Sequence, residues 1–114
     1  ELITEWLFAE GFSVVQASDG LQAQREIEAR TYDCVLLDLR MPGLSGIELY
    51  RWMRQRESSL TDRVVFITGD TISSETDKFL RQTENPVLSK PFTSEDLKLK
   101  LGKVLASSNW EQGQ

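Results

Sequence analysis

Three side chains of complementary chemistry stand at the ends of apolar, strand-like runs. Asp38 closes the run 32–37, Thr68 closes 63–67, and Lys90 follows 86–89. They lie thirty and twenty-two residues apart, each about the length of one strand-to-strand crossover in an α/β fold. In open α/β sheets, ligands bind beyond the carboxyl ends of parallel strands. One rim would therefore gather a carboxylate, a hydroxyl and an ammonium. That trio suits phosphoryl capture. A carboxylate attacking phosphorus becomes an acyl phosphate, and the transfer depends mainly on positioning and charge stabilisation. Lys90 would offer a compact cation to the phosphoryl oxygens, Thr68 would donate its hydroxyl hydrogen, and Mg²⁺ would bridge nucleophile and phosphoryl group. Blander roles exist for each: a cap or solvated charge for Asp38, a structural ion-pair partner for Lys90, a plain strand former for Thr68. Their joint order and spacing favours the chemical reading.

The elements that must position them follow from periodicity. Residues 1–10 read as a helix with Leu2, Ile3, Trp6 and Leu7 on its apolar face, stopped by Gly11. Residues 12–17 read as a short strand. Ser18 or Asp19 caps a second helix over 21–30, with Ala23 and Ile27 on one face. Residues 33–37 read as a strand, apolar after Asp33 as a doubly covered strand requires. A helix over 47–56 carries Ile47, Tyr50 and Met53. A strand at 63–68, a short helix at 74–82 with Phe79 and Leu80, and a strand at 86–89 come next. Thr93 caps the last helix, whose stripe is Leu97, Leu101, Val104 and Leu105. Residues 107–114 form a polar tail with Trp110. Alternating helices and strands predict a parallel sheet covered on both faces. Only four strands are counted, and the chain opens on a helix. A doubly wound sheet of this type places another strand before that helix, inside the sheet.

The chain has 114 residues, enough for one domain. A net charge of -5 argues against a nonspecific nucleic-acid or anionic-membrane surface. No apolar run is long enough to span a bilayer. With no His, the chain by itself excludes Ser-His-Asp and Cys-His catalysis and His-ligated zinc. The lone Cys34 fits a reducing compartment and, on a strand, reads as a packed thiol. Trp6 and Trp52 read as helix-packing residues, with partner contact through Trp6 as the alternative. Lys98, Lys100 and Lys103, with Glu95 and Asp96, read as a solvated face, with homodimer contact as the alternative.

The loop Asp38-Leu39-Arg40-Met41-Pro42-Gly43-Leu44-Ser45-Gly46, the strand Val64-Val65-Phe66-Ile67-Thr68-Gly69 and the turn Ser89-Lys90-Pro91-Phe92 resemble three motifs of response-regulator receiver domains of two-component signalling. They correspond to the phosphoacceptor loop, the switch-threonine strand and the Lys-Pro turn. The resemblance covers residues 1–106, and 83–92 is further similar to receivers at the ends of hybrid histidine kinases. It implies a flavodoxin-like (βα)₅ fold with its first strand missing from this chain. It makes Asp38 the phosphoacceptor, Thr68 the switch hydroxyl and Lys90 the phosphoryl-binding cation. It makes Asp38 and the Arg40 backbone carbonyl Mg²⁺ ligands, and the Lys90–Pro91 bond cis. The partner it implies is a histidine kinase or histidine phosphotransfer domain, in the cytoplasm, with no direct nucleic-acid or membrane contact. No DNA-binding output domain is expected after the last helix.

Two positions depart from that family's pattern. Its Mg²⁺-holding acidic pair would precede Glu1, and Asp19 does not replace it. Many receivers carry an aromatic switch residue three before the Lys, where this chain has Val87, so signalling is expected to run through the 70–76 loop and the helix after it. Arg40 and Asp70, each two residues past a site residue, are candidate tuners of water access, with solvated charges as the plain alternative. The leading reading is thus a receiver that takes a phosphoryl group from a partner's phosphohistidine, catalysing its own phosphorylation and dephosphorylation. A phosphorylation-independent pseudo-receiver is the alternative. A phosphatase with an Asp nucleophile is disfavoured by Arg40, where a second acid would be needed.

Overall fold

In the computed structural model, residues 2–39, 45–56, 59–69 and 74–105 are described. Helix α1 spans Leu2–Ala9, α2 Gly20–Ala29, α3 Gly46–Gln55, α4 Ser74–Thr83 and α5 Ser94–Leu105. Strands β1 (Val35–Asp38), β2 (Val64–Thr68) and β3 (Val87–Ser89) form a parallel sheet in the order β1-β2-β3. A 3₁₀ segment, Ser59–Arg63, leads into β2. Its tertiary packing through buried Leu60 carries no periodic signal, so sequence patterning missed it.

Local chemistry sets the helix ends. After α1, Gly11 takes a left-handed φ of 91°. The Phe12 N–H donates to the Leu7 carbonyl and the Gly11 N–H to that of Phe8, the paired bonds of a Schellman stop. The Asp19 carboxylate accepts from the Gln22 N–H at 2.8 Å, which makes Asp19 the cap of α2, while Ser18 bonds back to the Gln22 side chain. Ser45 and Glu48 form a reciprocal capping box on α3. Thr93 and Asp96 do the same on α5, at 3.1 and 3.0 Å.

Strand β2 shows why the sheet is covered on both faces. All five of its residues are buried. Successive strand side chains point to opposite faces. Val64 and Phe66 accordingly enter one cluster with Leu37, Leu49, Tyr50, Met53 and Phe79. Val65 and Ile67 enter another with Leu7, Leu88, Leu97, Leu101 and Leu105. The expected α5 stripe is buried throughout, and Ala23, Ile27 and Trp52 pack on the α3 side. Trp6 meets the Phe92 ring edge-on at 6.2 Å.

The expected strand at 12–17 does not form. Phe12 and Val14 still pack inward, and the Gln16 side chain is hydrogen-bonded to the Thr4 hydroxyl. No described strand pairs with this segment, and β1 stands at the edge of the described sheet. An extended run without a ladder partner has no source for strand hydrogen bonds. Lys98, expected on a solvated face, bonds across helices to Glu10 at 3.1 Å.

Candidate functional site

Each of the three site residues sits at the carboxyl end of the sheet. Asp38 is the last residue of β1, Thr68 the last of β2, and Lys90 follows β3 directly. The register pairs Asp38 with Ile67 and Thr68 with Ser89. Backbone bonds carry the ladder one residue past the strands: Leu39 N–H to the Ile67 carbonyl at 3.1 Å, and Lys90 N–H to the Thr68 carbonyl at 2.9 Å. Main-chain geometry thereby sets the register of the rim.

Across this rim the Lys90 ammonium donates to Asp38 Oδ2 at 3.2 Å. The Asp38 side chain is 37% exposed and that of Lys90 50%. Water screens such a pair, so it contributes little to stability, ~0–1 kcal/mol, and a competing anion can open it. Thr68 contrasts with both, at 3% exposed. The arrangement presents a solvent-reachable carboxylate with a cation in contact and a hydroxyl on the strand between them. The Lys90–Pro91 peptide bond is cis.

Other residues place the trio without taking part. The Asn85 side chain donates to the carbonyls of Thr61 and Val64 at 2.9 and 2.8 Å and accepts from the Tyr50 hydroxyl at 3.2 Å. It ties the entry of β3 to the start of β2 and so sets where Lys90 emerges. Burial raises the Tyr50 hydroxyl pKa, opposed by Arg54. Nothing in sequence spacing flagged Asn85; its only local signal is the Asn-Pro step before a strand. Val87 pairs with Phe66 and packs on the α3-side cluster. The buried aromatic rings there are those of Tyr50, Phe66 and Phe79, in edge-on contact at 5.1 to 5.6 Å. Cys34 is half-buried, and burial pushes its thiol up to about 12, which fits a packed thiol and not a nucleophile. Arg40, Asp70 and the start of the 70–76 loop lie outside the described residues, as does Trp110.

A family profile described as "Response regulator receiver domain" matches residues 1–102. The sensor protein EvgS of Escherichia coli K12 is 34% identical over 94 residues, covering 82% of this chain and 8% of EvgS. The phosphate regulon transcriptional regulatory protein PhoB of Rhizobium meliloti is 32% identical over 99 residues, covering 87% of this chain and 44% of PhoB. The crystal structure of the receiver domain of the sensor histidine kinase PA1611 from Pseudomonas aeruginosa, with a magnesium ion coordinated in its active site cleft, is 28% identical with a TM-score of 0.77, covering 92% of this chain and 86% of that one. The chain spans less than half the length of either curated relative.

Proposed function

The chain belongs to the response regulator receiver domain family of two-component systems, with its flavodoxin-like α/β fold, and from this we propose that Asp38 is its phosphoacceptor. In this reading an Asp38 carboxylate oxygen attacks the phosphorus of a phosphohistidine on a histidine kinase or histidine phosphotransfer domain. The O–P bond forms as the N–P bond breaks, and the imidazole leaves with the electron pair and takes up a proton. Lys90 turns from Asp38 to the phosphoryl oxygens, and Thr68 donates its hydroxyl hydrogen to the same group. Water attack at phosphorus later restores the carboxylate. The chain would catalyse both steps on itself, in the cytoplasm. No described helix is long and apolar enough to cross a membrane.

The observation that carries this reading is the Lys90–Asp38 contact of 3.2 Å at the carboxyl end of the sheet. It places a cation where phosphoryl charge would develop. The fit to Mg²⁺ is incomplete. No group of three or more His, Cys, Asp or Glu gathers among the described residues, and Lys90 already engages Asp38. One carboxylate so engaged does not make a firm Mg²⁺ site. The magnesium named for the PA1611 receiver supports the ion as a cofactor here, with further ligands, including the Arg40 carbonyl, from outside the described residues. We read 1–106 as the receiver and 107–114 as a polar tail.

The test is labelling by a small acyl phosphodonor, read by intact mass, beside Asp38→Asn. One phosphoryl adduct on the parent and none on the variant is expected. No adduct on a folded parent overturns the acceptor reading and favours a pseudo-receiver that works by protein contact alone.

A further inference from the structure

Gly46 is the first residue of α3, directly after its Ser45 cap, and is buried. A Cβ built there would lie 2.9 Å from the Asp38 carbonyl oxygen, 2.9 Å from Leu39 Cα and 3.0 Å from Leu39 Cδ2. Ordinary contacts to a Cβ begin near 3.4 Å. Two of these three neighbours are backbone atoms, which a rotamer change cannot move. The start of α3 therefore rests directly on the Asp38–Leu39 peptide, and only the lack of a side chain lets it.

Relief of such a contact has few routes. Helix α3 is wedged by Leu49 and Met53, both 0% exposed, and by Tyr50. Its retreat would open the core beside Phe66. Strand β1 is held by its ladder to β2 and by buried Leu37. The part left to yield is the Asp38–Leu39 peptide at the end of β1, whose Leu39 N–H bonds to the Ile67 carbonyl. That peptide is the mount of the Asp38 carboxylate.

We propose that Gly46 is a positioning residue for the acceptor: its missing side chain lets α3 seat the Asp38–Leu39 peptide so that the carboxylate faces Lys90. The role rests on Asp38 being the acceptor. It concerns aim and not binding of any group, so a disturbed Gly46 lowers the maximal rate of phosphoryl capture more than the apparent affinity for the donor. Misplacement of a reacting group by about 1 Å can cost a rate factor on the order of 10².

The experiment compares maximal labelling rates by a small acyl phosphodonor in the intact protein and in Gly46→Ala, Gly102→Ala and Val104→Ala. Gly102 lies in α5, where a Cβ meets nothing within 4 Å. Val104 is a 2%-exposed core residue whose truncation lowers stability away from the rim. Folding of each is followed by urea unfolding, and rates are compared under conditions where all are folded. The expected result is a roughly 10- to 100-fold slower maximal rate in Gly46→Ala alone, with the half-saturating donor concentration little changed. A parent-like rate in Gly46→Ala overturns the proposal. So does an equal slowing in Val104→Ala, which would reduce the effect to stability. If Gly46→Ala does not fold, Leu39→Ala/Gly46→Ala is compared with Leu39→Ala. Only the double variant keeps the backbone contact, and equal rates in that pair overturn the role. A folded parent that takes no adduct at all removes the acceptor reading first, and the positioning role with it.

Discussion

Residues 64–68 and 12–17 are written in similar chemistry, yet they end in different states. Val64–Thr68 has a parallel neighbour on each side and is buried along its whole length. The 12–17 segment also alternates, with Phe12 and Val14 inward and Val15 44% exposed, but it joins no ladder among the described residues. Alternation decides where side chains point; a hydrogen-bonding neighbour decides whether the chain becomes a strand. The difference reaches function. All three residues of the proposed phosphoryl site end or directly follow laddered strands, and the unladdered segment contributes none.

The largest contrast lies in stability. Phe66 is fully buried, with rings of Tyr50 and Phe79 at 5.1 and 5.5 Å. Phe66→Ala should cost about 3–5 kcal/mol. Val14→Ala, from a half-covered segment that joins no described ladder, should cost below about 1.5 kcal/mol. Urea midpoints of the two variants measure the gap. Equal losses would mean that 12–17 is held as firmly as the central strand, and the contrast would collapse.

Two ion pairs carry the comparison to the site. Lys90–Asp38 spans 3.2 Å and Lys98–Glu10 spans 3.1 Å, and all four side chains are substantially exposed. Their stability contributions should match, each ~0–1 kcal/mol. Their effects on phosphoryl capture should not. Lys90→Ala should slow labelling by a factor on the order of 10² to 10³, as loss of a charge-stabilising donor does, while Lys98→Ala keeps the parent rate. Equal rates in the two variants would show that position at the rim confers nothing.

What could be read from the residues divides along the same line. The helix ends that were read came from local chemistry: the Asp19 and Thr93 caps and the Gly11 stop each act within a few residues. Asp38, Thr68 and Lys90 were legible because chain order and crossover length bring successive parallel strand ends to one rim. The failures are all contacts between distant segments. Whether 12–17 finds a partner is not written in 12–17. Gly46 touches the Asp38 peptide, and Asn85 bonds to carbonyls twenty-one and twenty-four residues earlier. Neither side chain announces this, because a glycine or an asparagine before a turn looks the same wherever it later packs.

Asn85 offers an intermediate effect on the laddered side. Removing its amide leaves the Thr61 and Val64 carbonyls and the Tyr50 hydroxyl without that partner. Asn85→Ala should cost about 1–3 kcal/mol. Because Asn85 fixes the entry of β3, the loss should be accompanied by weaker amide-exchange protection in β3 than in β1. Uniform loosening of both strands would assign Asn85 to general stability and remove its part in placing Lys90.

The smallest effect probes the cover over the unladdered side. Cys34 precedes β1 and packs on the same cluster as Phe12 and Val14. Burial raises its thiol from the usual value near 9 to about 12, with Arg63 opposing and Asp33 adding. The native thiol thus holds its proton where the unfolded one has lost it. Between about pH 9 and about 12 the unfolded state binds fewer protons, so this group makes stability fall as pH rises; below about 9 it contributes no slope. Alkylation at pH 9 should accordingly be at least ~10-fold slower in the native protein than in urea, since thiolate is the reacting species. Val14→Ala reads the cover directly. If 12–17 shields the thiol, the variant should alkylate several-fold faster with little change in urea midpoint. An unchanged rate would place the burial of Cys34 on α5 and β2 alone, leaving 12–17 as a surface segment that shields nothing beneath it.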